Sequence, residues 1–156
     1  MARITKVTLD DASIVRRTPE VEHERRVAMV DLVEDNRFNL VEALSKEIVG
    51  PYELFISVRD NRLTFRLTSE NARGHDIILP LSPFRSTIKD YFMMCESYYD
   101  AIKHASSDKI QTIDMARRGI HNEGSEILQS LLGDTAVMDF ETARRLFTLI
   151  CVLHIK

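Results

Sequence analysis

The chain has 156 residues, of which 44% are hydrophobic and 29% charged, and this composition predicts one globular domain spanning residues 1–156. The formal net charge of −3 excludes bulk nucleic-acid binding, which needs a clear basic excess. No apolar run approaches the roughly 20 residues that cross a bilayer. The N-terminus lacks the apolar core of a signal peptide, so we expect a cytoplasmic protein without a membrane partner.

Alternation of apolar and polar side chains predicts a strand over residues 3–9. One face of this strand would carry Thr5, Val7 and Leu9. The polar stretch that follows, residues 10–17, lacks periodicity and predicts a loop. Thr18 is typical of a helix N-cap, and it predicts a helix over about residues 19–35. A second, short helix is predicted over residues 40–48.

The clearest local structure is a hairpin across residues 52–68, where apolar residues alternate on both sides of a turn. The turn residues, Asp60 and Asn61, tolerate the positive φ that a tight hairpin requires. This turn sets a register in which Ile56 lies opposite Phe65.

A third strand is predicted over residues 75–81, and Pro80 indicates either a sheet edge or the end of the strand. Three consecutive helices follow, over about residues 82–102, over 108–132, and from a cap at Asp139 onward. The order of elements predicts an α+β fold. A small antiparallel sheet, formed by the N-terminal strand and a three-strand meander, would pack against four to five helices.

Cys95 and Cys151 fall on apolar helix faces without CxxC spacing, which predicts buried reduced thiols. The final helix is apolar nearly all round, a pattern typical either of a central core helix or of a subunit interface. Because Leu149, Val152 and Leu153 extend its apolar surface beyond the usual stripe, we expect a homodimer through this helix.

The longest predicted helix, residues 108–132, departs from the pattern of a simple amphipathic helix. Its apolar stripe also carries Arg117 and Gly124, with Asp114 and His121 along its edge. An arginine on a core face needs a partner, because an unpaired buried charge is strongly destabilising. A glycine inside a helix costs about 1 kcal/mol relative to alanine, which indicates that another element approaches its backbone closely.

Arginines outnumber lysines 15 to 6, and arginine is the side chain best suited to bidentate contacts with anions. Arg25 and Arg144 lean toward the apolar faces of their helices, as Arg117 does. These three residues predict an anion-binding site for a phosphate or a carboxylate. The alternative is that Arg117 forms an internal bridge to a carboxylate such as Glu24 or Glu141.

His121 is the candidate catalytic residue, because an imidazole one turn from an arginine could donate or shuttle a proton. Asp114, Gly124 and Glu123 are expected to support the site. His121 and Glu123 form an H-x-E arrangement, but the zinc deaminases that use it also need a PCxxC, which this sequence lacks. No other metal-ligand spacing and no nucleotide-binding motif occurs, so the sequence predicts neither a metal nor an organic cofactor.

Four long stretches of the chain resemble an uncharacterised, function-unassigned family of small proteins from alphaproteobacteria. They are RITKVTLDD (3–11), TPEVEHERRVAMVDLVEDNRF (18–38), IDMARRGIHNEGSEIL (113–128) and TARRLFTLICVLH (142–154). The resemblance covers nearly the whole length, and it implies no particular reaction.

From the residues we therefore expect a cytosolic binding or regulatory module of unassigned activity, with an arginine-lined anion site. Its partner would be a protein or a small anionic ligand. The alternative is a small-molecule enzyme that acts on a phosphorylated or carboxylated substrate. These two hypotheses differ in whether the arginines open onto an accessible pocket or are sealed by carboxylates inside the core.

Overall fold

The computed structural model describes residues 2–10 and 18–154, apart from the side chain of residue 154. The predicted loop over residues 10–17 lies outside the described residues from residue 11 onward. In chain order the elements are β1 (Ile4–Leu9), α1 (Pro19–Glu34), β2 (Phe38–Leu40), α2 (Glu42–Ser45), β3 (Tyr52–Arg59), β4 (Arg62–Thr68), β5 (Gly74–Pro80), a 3-10 turn (Ser82–Phe84), α3 (Arg85–His104), α4 (Ser107–Leu132), β6 (Ala136–Met138) and α5 (Phe140–His154). Strands and helices are largely segregated, which confirms the α+β class.

The hairpin of β3 and β4 has the register that the sequence predicts, with Ile56 opposite Phe65. Asp60 and Asn61 adopt φ values of 51° and 61°, as a tight two-residue turn demands. Strand β5 continues the antiparallel meander and lies at the edge of a sheet with the order β1-β3-β4-β5. Pro80 is accommodated there because an edge strand leaves one row of backbone groups unpaired.

Strand β1 pairs with β3 in parallel, so the main sheet is mixed rather than purely antiparallel as predicted. The connection through α1, β2 and α2 is long enough to return the chain to the same end of the sheet, which a parallel pair requires. The register shifts between Ile4 and Lys6. This irregularity turns Ile4 toward the core and leaves Thr5 exposed, contrary to the predicted face.

A second sheet, formed by β2 and β6, was not predicted from the sequence. Each strand has three residues, which is too short for an alternating pattern to be recognised. The helix predicted over residues 40–48 is reduced to the single turn of α2.

Helix α5 is the central helix of the core, where it contacts α1, α4 and β3. Leu149, Val152 and Leu153 are at most 2% exposed, so the chain's own core covers the residues that suggested a subunit interface. The homodimer stays a prediction, without that exposed surface to support it. Both cysteines are free and buried, as predicted. Within the described ranges, no helix combines the length and apolarity needed to cross a membrane.

Candidate functional site

Helices α1, α4 and α5 border a cavity of about 550 Å³, and Tyr91 of α3 contributes to its wall. Two pairs of adjacent arginines line it, one from α4 and one from α5. Its charged lining residues, among those described, are Glu24, Asp31, Arg117, Arg118, Glu141, Arg144 and Arg145. The cavity therefore contains both a cluster of guanidinium groups and several carboxylates.

Arg117 is held in this cavity by neighbours on three helices. Its Nη2 donates to Oδ1 of Asp114 at 2.6 Å, and its Nη1 lies 3.9 Å from Oε1 of Glu24. The guanidinium also stacks over the ring of Tyr98, 4.5 Å from the centroid. Arg117 thus forms the internal ion pair that was the alternative interpretation of the sequence. Glu24 is one carboxylate partner, and Asp114 is a second and closer one.

Asp114 positions both arginines of the α4 pair. Its second oxygen accepts from Nε of Arg118 at 3.0 Å, while the first accepts from Arg117. The hydrogen bond from Arg117 holds the pKa of Asp114 below its ordinary value of 3.8. Arg118 remains 67% exposed, so it lies at the mouth of the cavity.

Glu24 is the carboxylate that α1 presents to Arg117. Burial raises its pKa, and the hydrogen bond that Tyr99 donates to its Oε1 at 3.2 Å acts in the opposite direction, as does Arg117. Its charge depends on these partners, because the side chain has lost most of its contact with water.

His121 is 8% exposed, and its ring packs edge-on against Tyr91 and Phe147, with centroids 5.2 and 5.1 Å away. Burial lowers its pKa to about 4, and the positive charges of Arg144 and Arg117 act in the same direction. The imidazole is therefore neutral near neutral pH.

His121 is hydrogen-bonded to Thr148 of α5. Its Nε2 lies 2.8 Å from the Thr148 hydroxyl oxygen, which also lies 3.2 Å from the carbonyl oxygen of Arg144. Nδ1 has no hydrogen-bond partner in the described part of the chain. The single hydrogen bond of the ring is therefore to another helix of the core.

Gly124 lies where α4 approaches α5 closely. A Cβ atom at this position would lie 2.1 Å from Cζ of Phe147, a fully buried ring. This contact confirms the close approach that the sequence predicts for Gly124. Its role in ligand binding stays a prediction.

Arg144 and Arg145 are the contribution of α5. Nη1 of Arg144 lies 3.2 Å from Oε1 of Glu141, one turn earlier. Arg145 donates from Nη1 to the carbonyl oxygen of Asp35 at 2.6 Å, where α1 ends. No carboxylate of the described residues lies within ion-pairing distance of Arg145. Sequence reasoning missed Arg145, although the carbonyls at a helix end do attract cations.

Asp114 and Gly124 adjoin the site without lining the cavity, and two further predicted site residues do not line it either. Arg25 does not line the cavity and instead pairs with Glu22 of its own helix at 3.7 Å. It follows Glu24 directly, and one residue turns a helix by about 100°. Glu123 is exposed and does not line the cavity either, because its two-residue separation places it on a different side of α4 from His121.

No three histidine, cysteine or acidic side chains come together as a metal site in residues 2–10 and 18–154. The groups that could hold a ligand in the cavity are therefore its charged side chains. The fold and the site define an α+β protein with a charged cavity between three helices.

The chain belongs to the uncharacterised protein family UPF0262, which it matches over residues 1–156. It is 53% identical to a family member from Roseobacter denitrificans, over 99% of this chain and 98% of the relative. It is 50% identical to one from Ruegeria pomeroyi (99% and 97% covered) and 53% identical to one from Azorhizobium caulinodans (99% and 94%). These relatives confirm the resemblance to an alphaproteobacterial family. No solved structure matches the chain.

Proposed function

We propose that this protein is a binding or regulatory module that recognises a small anionic ligand, a phosphate or carboxylate compound, between α1, α4 and α5. The observation that carries the proposal is the convergence of two arginine pairs from different helices on one cavity. A guanidinium group presents several N–H donors in a plane, and it recognises phosphate and carboxylate oxygens in pairs.

The partners of these arginines indicate which of them contact a ligand. Arg117 is engaged by Asp114, and Arg144 shares its charge with Glu141. Arg145 uses one N–H for a backbone carbonyl and pairs with no carboxylate among the residues described. We therefore assign Arg145 as the principal anion contact, with Arg144 beside it.

The protonation state of His121 favours a binding function over a catalytic one. Its imidazole is neutral near neutral pH, and its Nε2 is engaged by the hydroxyl of Thr148. General acid catalysis needs a protonated imidazolium that can release a proton to the substrate, and the lowered pKa of His121 disfavours that form near neutral pH. In this proposal His121 packs the inner wall of the cavity.

Calorimetric titration and thermal unfolding with inorganic phosphate and with citrate test the proposal, with chloride at matched ionic strength as the reference. A ligand that binds only the folded state stabilises it by about 2.7 kcal/mol at a hundredfold excess over Kd. We expect one of these anions to bind the parent and to bind Arg145→Gln much more weakly. The matched control is Arg66→Gln, which changes an exposed arginine on the main sheet and should leave binding unaffected.

Two results would contradict the proposal. One is the absence of binding by either anion beyond the effect of chloride. The other is equal binding to the parent and to Arg145→Gln, which would place the anion outside this cavity.

A further inference from the structure

The charges of the cavity are divided between its helices. All the described arginines that line it come from α4 and α5, whereas α1 supplies Glu24, Asp31 and one histidine, His23. Glu141 is the acidic lining residue of α5, and it is already paired with Arg144. A ligand in this cavity therefore meets a basic side formed by α4 and α5, and an acidic side formed by α1.

The acidic side has a regular spacing along α1. Glu24 and Asp31 are seven residues apart, which is nearly two helical turns and about 10 Å. They therefore share one face of the helix, and the small side chain of Ala28 lies between them on the same wall. This spacing leaves room for a small molecule against α1 between the two carboxylates.

Asp31 differs from Glu24 in having no partner among the described residues. Glu24 accepts from Tyr99 and lies near Arg117, but Asp31 is half-buried without an ion pair or a side-chain hydrogen bond to any described residue. A carboxylate that has lost part of its hydration is stabilised by a cation. Arg145 shows the opposite case on α5, a guanidinium without a carboxylate partner in the part of the chain that the structure describes.

We propose that the ligand of this cavity is a small zwitterion, an ammonium group joined to a phosphate or a carboxylate, whose anion contacts Arg145 and whose ammonium contacts Asp31. This inference rests on the proposed function, because it adds a second charge to the same anionic ligand. A simple anion would occupy only the basic side and would be repelled by Asp31. A zwitterion provides a partner for both charges, neither of which is ion-paired within residues 2–10 and 18–154.

Two matched pairs of compounds test this inference by calorimetry at neutral pH. O-phosphoethanolamine and ethyl phosphate share a phosphate monoester and differ in the ammonium group, and β-alanine and propionate differ in the same way around a carboxylate. We expect the ammonium compound of at least one pair to bind the parent about tenfold more tightly than its partner. Tenfold corresponds to about 1.4 kcal/mol. The pair that shows this preference identifies the anionic group.

Two variants test which residue contacts the ammonium group of the ligand and which contacts its anionic group. Asp31→Asn should reduce the preference to within about twofold while the affinity for the simple anion stays the same or rises, because a repulsive charge has been removed. Arg145→Gln should weaken binding of both members of the pair. Asp90→Asn, an exposed carboxylate on α3 that does not line the cavity, is the matched control and should keep the full preference. Unfolding midpoints of all variants verify that they fold.

The outcomes separate this inference from the proposed function. If the simple anions bind as tightly as the ammonium compounds, the zwitterion is excluded while the anion site stands. A preference that persists in Asp31→Asn would also overturn the assignment. If none of the four compounds binds, and phosphate and citrate do not bind either, both proposals fail.

Discussion

The β3–β4 hairpin and the α4–α5 contact bury their residues in different ways. The inward positions of the hairpin are apolar and almost fully buried, namely Leu54, Ile56, Leu63, Phe65 and Leu67. At the α4–α5 contact, the inward positions include a glycine, a neutral histidine and a partly buried arginine: Gly124, His121 and Arg117. The charged side chains of the hairpin lie on its solvent face, whereas α4 places the charged side chain of Arg117 toward the protein interior.

The inward residues of the hairpin stabilise the fold, whereas those of the α4–α5 contact do not. Apolar burial in the hairpin contributes stability at every inward position. A buried imidazole, a desolvated ion pair and a helical glycine each cost stability relative to apolar or alanine alternatives. Sequences depart from local rules mostly where a site is built, so the α4–α5 side is the side to test for function.

The largest expected effect is that of Gly124→Ala, which should destabilise the protein by about 3 kcal/mol, at the upper end of the range for overpacking. The added methyl group would meet the fully buried ring of Phe147, which has no free space to move into. Gly119→Ala is the control on the same helix. It has nothing within 4 Å and should stabilise by up to about 1 kcal/mol.

Urea denaturation of both glycine variants measures this contrast. Combining Gly124→Ala with Phe147→Leu should recover part of the loss, because the two positions are in direct contact. If Gly124→Ala unfolds at the same urea concentration as the parent, α4 and α5 do not approach as described.

Arg117→Ala should destabilise by about 2 to 3 kcal/mol, because it leaves the half-buried Glu24 without its ion-pair partner. Arg118→Ala removes an arginine that is 67% exposed and should change stability by less than about 0.5 kcal/mol. Chemical denaturation of the two neighbours compares an inward and an outward arginine on one helix. Equal denaturation midpoints for the two variants would contradict the assignment of Arg117 as the inward and Arg118 as the outward arginine.

His121 should make stability depend on pH. Its pKa is about 4 in the folded protein and 6.5 ordinarily, so below pH 6.5 the unfolded chain binds a proton that the folded protein does not. Stability should therefore fall by about 2 kcal/mol between about pH 7 and about pH 5 from this group alone. Glu24, whose pKa is raised, acts in the opposite direction, since its folded state binds a proton more readily than the unfolded chain.

Comparing the parent with His121→Gln isolates the contribution of His121 to the pH dependence of stability, because Glu24 is present in both proteins. The glutamine amide keeps a donor near Thr148 and does not titrate. Unfolding free energies of the two proteins, measured across this pH range, should converge as the pH falls. Parallel pH profiles would show that His121 is not held neutral by its surroundings.

The smallest effect belongs to the solvent face of the sheet. Arg66 and Asp76 form an ion pair whose side chains are 58% and 43% exposed, and Arg66→Ala should cost less than about 0.5 kcal/mol. Thermal unfolding at low and at physiological salt measures this pair. A loss comparable to that of Arg117→Ala would contradict the contrast between the two regions.

Short-range signals explain which elements were predictable. The positive φ of Asp60 and Asn61 is a property of two adjacent residues, and it sets the register of the whole hairpin. Thr18 likewise caps α1 by accepting from the backbone N–H of Val21 three residues later. Such signals act within one turn, so the sequence shows them directly.

Long-range pairing explains the elements that were missed. Strand β2 exists because Asn39 pairs with Val137, nearly a hundred residues later, and neither segment has a strand pattern of its own. The parallel pairing of β1 also depends on the path of the intervening helices. In the site, helical phase alone did not show that Arg25 would lie outside the cavity lining or that Arg145 would belong to it, since the packing of the helices decides which inward side chains share a cavity.

By itself, the sequence determined that α4 would carry an arginine and a glycine on its inward stripe, because helical periodicity is a local property of the chain. The tertiary structure decided what those residues meet. Phe147 lies against Gly124, and Thr148 is hydrogen-bonded to His121. Both belong to α5, more than twenty residues further along the chain, and only the packing of the two helices brings them into contact.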